Sequence, residues 1–390
     1  MPGMLWFALL GLGLALVLFW DVFETIILPR RVTRRLRLAG AFYRATWLPW
    51  RFLARRIHSR HRREAFLSFY GPLSLLGLLG VWAVGLVFAF ALLHFSAGSA
   101  LVSQIAGVGH PGFLTDLYMS GTTLFTLGLG DVTPHTELAR LITVCEAGIG
   151  FGFLALVISY LPVLYGAFSR REANISLLDA RAGSPPSASE MLRRTARLDE
   201  GTFLKHALRD WEQWAAEMME SHLSYPVLCY FRSQHDNQSW LAALTTALDI
   251  SAMLIAYGEG PLQWQAKLTF AIARHALVDL SQVLNTAPRR FDQERMPFTD
   301  LQALRKLLAS TGLAVSCHGD LENEGDQRLY DLRMMYEPYV NALSRQLLMP
   351  VANWSPAALV VDNWRTSAWA RISSDVEASP LTDSKEHKHF

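Results

Sequence analysis

Ten consecutive residues, TTLFTLGLGD at positions 122–131, combine hydroxyl side chains, alternating glycines and a terminal acid. Gly128 and Gly130 alternate with leucines, and a residue without a Cβ adopts left-handed backbone dihedrals at little cost. Such a backbone lets successive carbonyl oxygens point to one side, and Thr126 adds a hydroxyl at the end of the row. Oxygens stacked in this way can replace the hydration shell of a cation. The stretch predicts a cation-coordinating strand or, as the simpler alternative, a glycine-rich turn between two apolar segments.

The residues before this stretch predict a short helix. In HPGFLTDLYMSGTTLF, Pro111 and Gly112 signal a turn, Thr115 can cap a helix, and Asp116 lies in its first turn. The helical part is about eleven residues long, whereas a hydrocarbon core needs roughly 20. We therefore expect a re-entrant helix whose carbonyl end, with its partial negative charge, faces the membrane interior and stabilises a cation there.

The composition places these elements in a membrane. The chain has 390 residues, of which 51% are hydrophobic and 18% charged, which is too apolar for one ordinary soluble domain. Apolar runs at residues 4–28, 66–95 and 141–169 are each long enough for a transmembrane helix. No HExxH motif, nucleophile elbow or phosphate loop supports an enzyme, and we expect no cofactor.

An arginine-rich segment sets the expected topology. Twelve arginines and no acid lie between Arg30 and Arg63, which predicts a cytoplasmic segment. Aromatic residues alternate with these charges, so we expect interfacial helices that bind anionic lipids rather than nucleic acid. The amino terminus would then lie outside and the carboxyl terminus inside a multi-pass protein of the bacterial inner membrane. For Asp21 and Glu24, near the cytoplasmic end of the first span, we expect ion pairs with these arginines rather than a role in sensing.

The sequence TLGLGD resembles the TVGYGD selectivity filter of the tetrameric potassium-channel superfamily. It is closer still to two-pore-domain channels, whose second repeat can carry a non-aromatic residue at the tyrosine position. Two-helix bacterial channels also have a basic residue nine positions after the filter aspartate and a hinge glycine ten positions later. Asp131, Arg140 and Gly150 keep that spacing, and the resemblance extends from about Phe66 to Phe168.

This resemblance implies a homotetramer that conducts potassium, with ion-binding residues Thr126, Leu127, Gly128, Leu129, Gly130 and Asp131. The backbone carbonyls of residues 126–129 and the Thr126 hydroxyl would coordinate the ion. Thr122 and Thr123 would support the filter from the preceding helix. Leu129 departs from the family pattern because it replaces the aromatic residue that braces the filter.

Three residues of the last span invite functional hypotheses. Glu146 is the only charge in this run, and a charge within a membrane needs a cavity or a partner. It would either form a ring of acids around the pore or, as we favour, lie behind the filter, bond to the Thr122 or Thr123 hydroxyl and tune conduction by protonation. Gly150 and Pro162 predict a hinge and a kink for gating, with close helix packing as an equal alternative.

The remainder of the chain predicts an all-α cytoplasmic domain of unknown regulatory ligand. Pro185 and Pro186 mark its start, and Ser187 with Glu190 forms a capping-box pattern. Near the middle, Asp236 or Asn237 is expected to cap the next helix. The pattern is neither the alternating strand and helix of dinucleotide-binding regulators nor a cyclic-nucleotide barrel.

The expected fold is therefore an all-α membrane protein with three transmembrane helices, a re-entrant pore helix and a helical cytoplasmic domain. The predicted organisation is a transmembrane helix at residues 1–29, arginine-rich interfacial helices at 30–65, a pore domain at 66–170, a linker at 171–186, a helical regulatory domain at 187–372 and a tail at 373–390 that we expect to be disordered. The alternatives to a potassium channel are a non-selective cation channel, a potassium-uptake subunit, and a membrane-anchored sensor or adaptor with a non-conducting pore.

Overall fold

A computed structural model shows an all-α membrane protein. It describes residues 2–28, 37–97, 101–103, 112–183, 185–195, 201–234, 238–290, 294–311, 313, 320–351 and 354. Within these residues the helices are α1 Pro2–Val22, α2 Leu38–Arg55, α3 Arg60–Ser68, α4 Tyr70–Ser96, α5 Phe113–Leu124, α6 Glu137–Ala182, α7 Ala188–Thr195, α8 Thr202–Ser224, α9 Trp240–Tyr257, α10 Gly260–Val283, α11 Phe298–Ala309, α12 Asp320–Met334 and α13 Glu337–Leu347. Two short strands, β1 Leu101–Ser103 and β2 Val132–Pro134, pair antiparallel.

Four helical segments of the described chain are long and apolar enough to cross a membrane. Three of them contain α1, α4 and α6, as the sequence predicts. The fourth is α9, and 94% of its apolar window is buried. A helix that is apolar on all sides is also typical of the core of a large domain, and α9 packs against α10 and α12 in this way.

Small residues let α1 and α4 pack closely. A Cβ at Gly11 would lie 2.7 Å from the Ala89 carbonyl oxygen, and one at Gly85 would lie 2.8 Å from a methyl carbon of Leu18. Without a hydrophobic driving force between helices in lipid, such close approach is a main source of association. The pair therefore forms a tight support for the helices that follow.

The arginine-rich segment contains α2 and α3, while residues 29–36 of the predicted interfacial region lie outside the described residues. Glu24 pairs with Arg37 at 3.8 Å, as expected. Asp21 has no arginine partner among the residues that the structure describes. Its carboxylate instead accepts from the Trp82 indole at 2.9 Å and from the Ala39 backbone N–H at 3.2 Å. Asp21 thus caps the beginning of α2 and joins it to α4.

The chain divides into two compact units. Unit 1 comprises Met1–Ser169 and Glu220–Arg232, and unit 2 comprises Arg170–Met219 and Ser233–Phe390. Residues 220–232 were expected within the regulatory domain at 187–372, yet they belong to the unit that contains the pore stretch.

Unit 2 is built from helices α7 and α9–α13, with parts of α6 and α8. Ser187 caps α7 as predicted, because its hydroxyl accepts from the Glu190 N–H at 3.4 Å. The cap of α9 is Ser239, whose hydroxyl accepts from the Ala242 N–H at 3.0 Å, whereas Asp236 and Asn237 lie outside the described residues. The predicted tail at 373–390 also lies outside them.

A buried ionic network holds the interior of unit 2 together. Arg295 pairs with Asp249 at 2.7 Å and with Glu337 at 3.1 Å. Glu337 also pairs with Arg333 at 3.1 Å, and the Tyr336 hydroxyl donates to Asp249 at 2.6 Å. Burial raises the pKa of Glu337, although both arginines oppose that shift. Since each buried charge has a hydrogen-bonded partner, the network fixes the packing of α9 against α13.

Candidate pore, filter and far end of α6

The predicted pore helix corresponds to α5, which is twelve residues long and begins earlier than the cap at Thr115 predicted from sequence. Gly112 is the N-cap, and its carbonyl accepts from the N–H groups of Thr115 and Asp116. Asp116 is buried in the first turn, where the helix dipole favours an acid. Phe113 packs edge-on against two phenylalanines of α4, with ring centroids 5.5 and 5.8 Å apart. These contacts fix the start of the short helix against α4.

Backbone hydrogen bonds anchor the predicted filter, residues 126–131 and called the filter below, to the end of α5. The Thr126 N–H donates to the Thr123 carbonyl at 3.0 Å, and the Leu127 N–H donates to the Thr122 carbonyl at 2.8 Å. The Gly128 N–H reaches the same Thr122 carbonyl at 3.4 Å. Because these donors turn back towards the helix end, the first filter residues are held by their N–H groups.

The backbone of the filter alternates in handedness. Thr126, Gly128 and Gly130 have φ angles of +58°, +56° and +77°, while the two leucines between them have negative φ. A chain that alternates between right- and left-handed dihedrals directs successive N–H groups to one side, which leaves successive carbonyls on the other. A positive φ at the β-branched Thr126 is strained, and such strain concentrates at functional sites. The left-handed dihedrals expected at the two glycines are therefore present, while the common direction of the carbonyls stays a prediction.

The end of the filter at Asp131, which we call its outer end after the predicted topology, is tied to the pore helix and to a strand. The Tyr118 hydroxyl donates to Asp131 Oδ2 at 2.8 Å, and Asp131 Oδ1 accepts from the Val132 N–H at 3.1 Å. Strand β2 then pairs with β1 in the register Val102 with Thr133. Leu129, which lacks the ring of the family pattern, is 63% exposed in the single chain. Side chains thus hold the filter mainly at its outer end.

Glu146 lies behind the pore helix, fully buried. Its partners differ from the predicted threonines: Oε2 lies 3.1 Å from His94 Nε2, and Oε1 is hydrogen-bonded to the Ser120 hydroxyl. The Thr122 hydroxyl instead donates to the Met119 carbonyl at 2.9 Å, its own preceding turn. Sequence reasoning missed His94 and Ser120, although a histidine within the apolar run at 66–95 was a usable signal.

Gly150 lies where α6 meets the end of the pore helix. A Cβ at this position would lie 2.1 Å from the Leu124 carbonyl oxygen, so no other residue allows this approach of the two backbones. Helix α6 continues through both Gly150 and Pro162. The geometry gives Gly150 a packing role, and its predicted hinge function stays a prediction, as does the kink at Pro162.

A second region of interest is residues 160–168, the last part of α6 that belongs to unit 1, which we call the far end of α6. A return segment, residues 225–232, packs against it and contains a short 3₁₀ turn, Pro226–Tyr230. The buried cluster at this place comprises Leu75, Tyr160, Leu164, Ala167, Val227, Leu228 and Phe231. Tyr160 and Leu164 lie on either side of Pro162 in the chain, so the return segment contacts α6 around the proline.

Aromatic contacts and one ion pair also hold the return segment in place. Tyr230 packs against Trp47, Tyr70 and Tyr43, with ring centroids 5.1, 5.3 and 6.0 Å apart. Arg232 pairs with Glu64 of α3 at 3.5 Å, and both side chains are buried. Sequence reasoning did not identify this segment, although the apolar run YPVLCYF at 225–231 within a polar region was a signal.

Comparison with known proteins agrees with this geometry. Residues 78–164 match a family described as ion channel. We call residues 78–164 the ion-channel domain, after the family that they match. The domain begins within α4, includes the pore helix and the filter, and ends at Leu164 in the far end of α6.

The chain is also similar to YdjJ, an uncharacterized membrane protein of Bacillus subtilis strain 168. The two are 22% identical over 263 residues, which cover 67% of this chain and 74% of the relative. No solved structure matches the chain. The similarity to YdjJ therefore covers about three times as many residues as the 87 of the ion-channel domain.

Proposed function

We propose that this protein is a homotetrameric, potassium-selective channel whose filter is TLGLGD at residues 126–131. The observation that carries the proposal is the alternation of φ at Thr126, Gly128 and Gly130 within an ion-channel domain. That backbone supports a row of carbonyls from residues 126–129, with the Thr126 hydroxyl at its end, able to replace the water of a cation. Permeation through such a row is passive, and it calls for no cofactor beyond the permeating K⁺ itself.

A fourfold assembly follows from the number of oxygens that a bare cation requires. One filter strand supplies one carbonyl per layer, so four copies are needed to form a cage. The exposure of the single chain supports this: only 11% of the apolar window of α6 is buried, against 56% for α4. Apolar residues exposed on α6 include Leu141, Val144, Phe151, Leu154 and Ile158. These apolar side chains must contact lipid, the pore or other protein, and neighbouring copies of α6 would bury part of them.

We further propose that gating acts at the far end of α6. The return segment contacts α6 on both sides of Pro162, and the chain on either side of residues 220–232 belongs to unit 2. A rearrangement within unit 2 would therefore pull, through the chain itself, on residues packed against the far end of α6. The stimulus would be a ligand of the cytoplasmic domain, whose chemistry the described residues do not define.

The proposed orientation has the amino terminus outside and the carboxyl terminus in the cytoplasm. The arginines of residues 30–65 support it through the positive-inside rule. Helix α2 supports contact with anionic lipid, because it presents Arg44, Arg51 and Arg55 together with the exposed apolar residues Leu48 and Phe52.

The deciding experiment is ion flux from purified protein in liposomes, under potassium and then sodium gradients. We expect potassium flux to exceed sodium flux by at least tenfold. The matched control is Gly80→Ala, since a Cβ at Gly80 would meet no atom within 4 Å and the residue lies in the middle of α4. Equal fluxes of the two ions would indicate a non-selective channel, and absence of flux from an intact tetramer would indicate a sensor or adaptor. A stable monomer or dimer in mild detergent would contradict the channel.

A further inference from the structure

Three buried polar side chains from three helices meet behind the pore helix. His94 of α4, Ser120 of α5 and Glu146 of α6 are each at most 1% exposed. Glu146 bonds to both of the others, through one carboxyl oxygen each. This cluster therefore connects all three helices of the ion-channel domain through a single carboxyl group.

The number of protons in the cluster follows from its surroundings. An uncompensated charge within a membrane is expensive, so the His94 and Glu146 pair is most stable when its net charge is zero. Two shared protons give that state, either as imidazolium with carboxylate or as neutral imidazole with carboxylic acid. A single proton would leave one negative charge, and a third proton would leave one positive charge. The net charge of the pair therefore depends on the number of protons that it holds.

The hydrogen bonds of Ser120 are compatible with a proton on Glu146. The Ser120 hydroxyl has one proton, and two acceptors lie near it: the Val87 carbonyl at 2.8 Å and Glu146 Oε1. When Ser120 donates to Val87, its oxygen is free to accept from a protonated Glu146. His94 Nδ1 makes no hydrogen bond within the described residues, so the histidine uses Nε2 alone in the cluster.

Few other titratable groups face this cluster among the described residues. On α5, Asp116 is buried one turn before Ser120. On α6, Cys145 precedes Glu146 but is exposed. On α4, the residues that precede His94 within one turn are apolar. The exchange of protons at this place therefore centres on His94 and Glu146, with Asp116 as the nearest other acid on the pore helix.

We propose that His94 is a positioning residue of the filter, acting through Glu146 and Ser120 to hold the pore helix against α4 and α6. This role rests on the proposed channel function. Ser120 lies two residues before Thr122, whose carbonyl accepts the N–H groups of Leu127 and Gly128. The chain of contacts from His94 to the filter backbone is therefore continuous: His94, Glu146, Ser120, and the last turn of α5. Loss of either end of the His94 and Glu146 pair shifts the helix end that holds the filter.

The test is a double-mutant cycle on ion selectivity, with His94→Leu, Glu146→Leu and the combined variant in liposomes. Each single substitution leaves a buried polar group without its partner, so we expect each to lower the potassium-to-sodium flux ratio by about tenfold or more. The combined variant replaces both partners by apolar groups, and we expect its loss to be smaller than the product of the two single losses. Losses that simply multiply would overturn the pairing. Cys145→Ala, next to Glu146 but exposed, is the matched control.

The pH profile adds a readout that a purely structural contact would not change. We expect the parent flux ratio to depend on pH, because a proton gained or lost by the pair would leave a net charge buried behind the pore helix. Glu146→Gln and His94→Gln keep the size of the side chains and should conduct with that pH dependence flattened. An unchanged pH profile in both variants would overturn the positioning role. A parent without flux would instead refute the channel itself, and size measurement on every variant separates loss of function from loss of the tetramer.

Discussion

The two ends of the ion-channel domain are held in different ways. At the filter, backbone N–H groups bond to the carbonyls of the preceding helix, and one tyrosine holds the final aspartate. At the far end of α6, side chains from α2, α3, α4 and the return segment interlock in a buried aromatic cluster with an ion pair at its edge. The filter is therefore defined by dihedral angles, and the far end by packing.

The two ends also differ in how complete they are within one chain. Both filter leucines are more than 60% exposed in the single chain, and a Cβ at Gly128 or Gly130 would meet no atom within 4 Å. At the far end, by contrast, Leu164 and Leu228 are fully buried without any second copy. A filter whose side chains are exposed in one chain fits an assembly in which symmetry-related copies bury them. At the far end of α6, residues of the same chain already bury the apolar side chains. We therefore expect substitutions in the filter to change conduction and substitutions at the far end of α6 to change the stability of the fold.

The largest effect is expected from the filter glycines. Gly128→Ala or Gly130→Ala forces a residue with a Cβ into φ angles of +56° or +77°, which costs roughly 1–2 kcal/mol per residue and recurs in every subunit. We expect potassium selectivity to be lost while the thermal unfolding of the remaining helices is unchanged. Flux ratios and circular dichroism on the same preparations measure the two quantities. Variants that select like the parent would make the stretch a turn only.

At the far end we expect substitutions to lower the stability of the fold, whereas the filter variants lower selectivity and leave stability unchanged. Phe231 is 4% exposed, and its truncation to Ala should cost about 3–5 kcal/mol in the free energy of unfolding of unit 1. Gly71→Ala should act at the same place, because the new Cβ would lie 2.6 Å from the Phe231 ring. Thermal unfolding in detergent, with and without denaturant, measures both.

The two substitutions at the far end also test each other. If the Gly71 effect arises from the Phe231 ring, then Gly71→Ala should be nearly neutral in a Phe231→Ala background, since the ring is no longer there. A full additional loss of stability in that background would show that the return segment is not seated on Gly71. Gly80→Ala, on the same helix with open space around it, again serves as the control.

The contrast between the two ends explains what could be predicted from sequence. The filter is local: Gly128 and Gly130 fix its dihedrals within a few residues, so the motif alone predicts the strand. Glu146 is intermediate. A charge in an apolar span predicts a partner, but the partners His94 and Ser120 lie 52 and 26 residues away in the chain. The contact between Phe231 and Gly71 could not be predicted at all, because no periodicity or motif connects positions in such distant parts of the sequence.

A smaller effect is expected at the outer end of the filter. Tyr118→Phe removes the hydroxyl that donates to Asp131 at 2.8 Å. This hydrogen bond is exposed, so water competes for both of its groups and we expect its loss to have a small effect. The potassium-to-sodium flux ratio should fall by a few fold, far less than in the glycine variants. An effect as large as theirs would mean that side chains hold the filter as much as backbone dihedrals do.

The smallest effect, and the only one in the direction of gain, is expected from Leu129→Tyr. Leu129 is 63% exposed in the single chain and has negative φ, so a larger ring meets neither a clash within the subunit nor backbone strain. The ring would restore the aromatic brace of the family pattern and pack towards Tyr118, whose hydroxyl already bonds to Asp131. We expect unchanged assembly and a flux ratio equal to or slightly above that of the parent.

Combining Leu129→Tyr with Tyr118→Phe sharpens the comparison. If the new ring braces the filter, it should recover part of the selectivity that the lost hydroxyl removes, because both act on the same outer end. If the combined variant is no better than Tyr118→Phe alone, the filter depends on its dihedrals and on the Asp131 bond, and the bulk of residue 129 has no part in it.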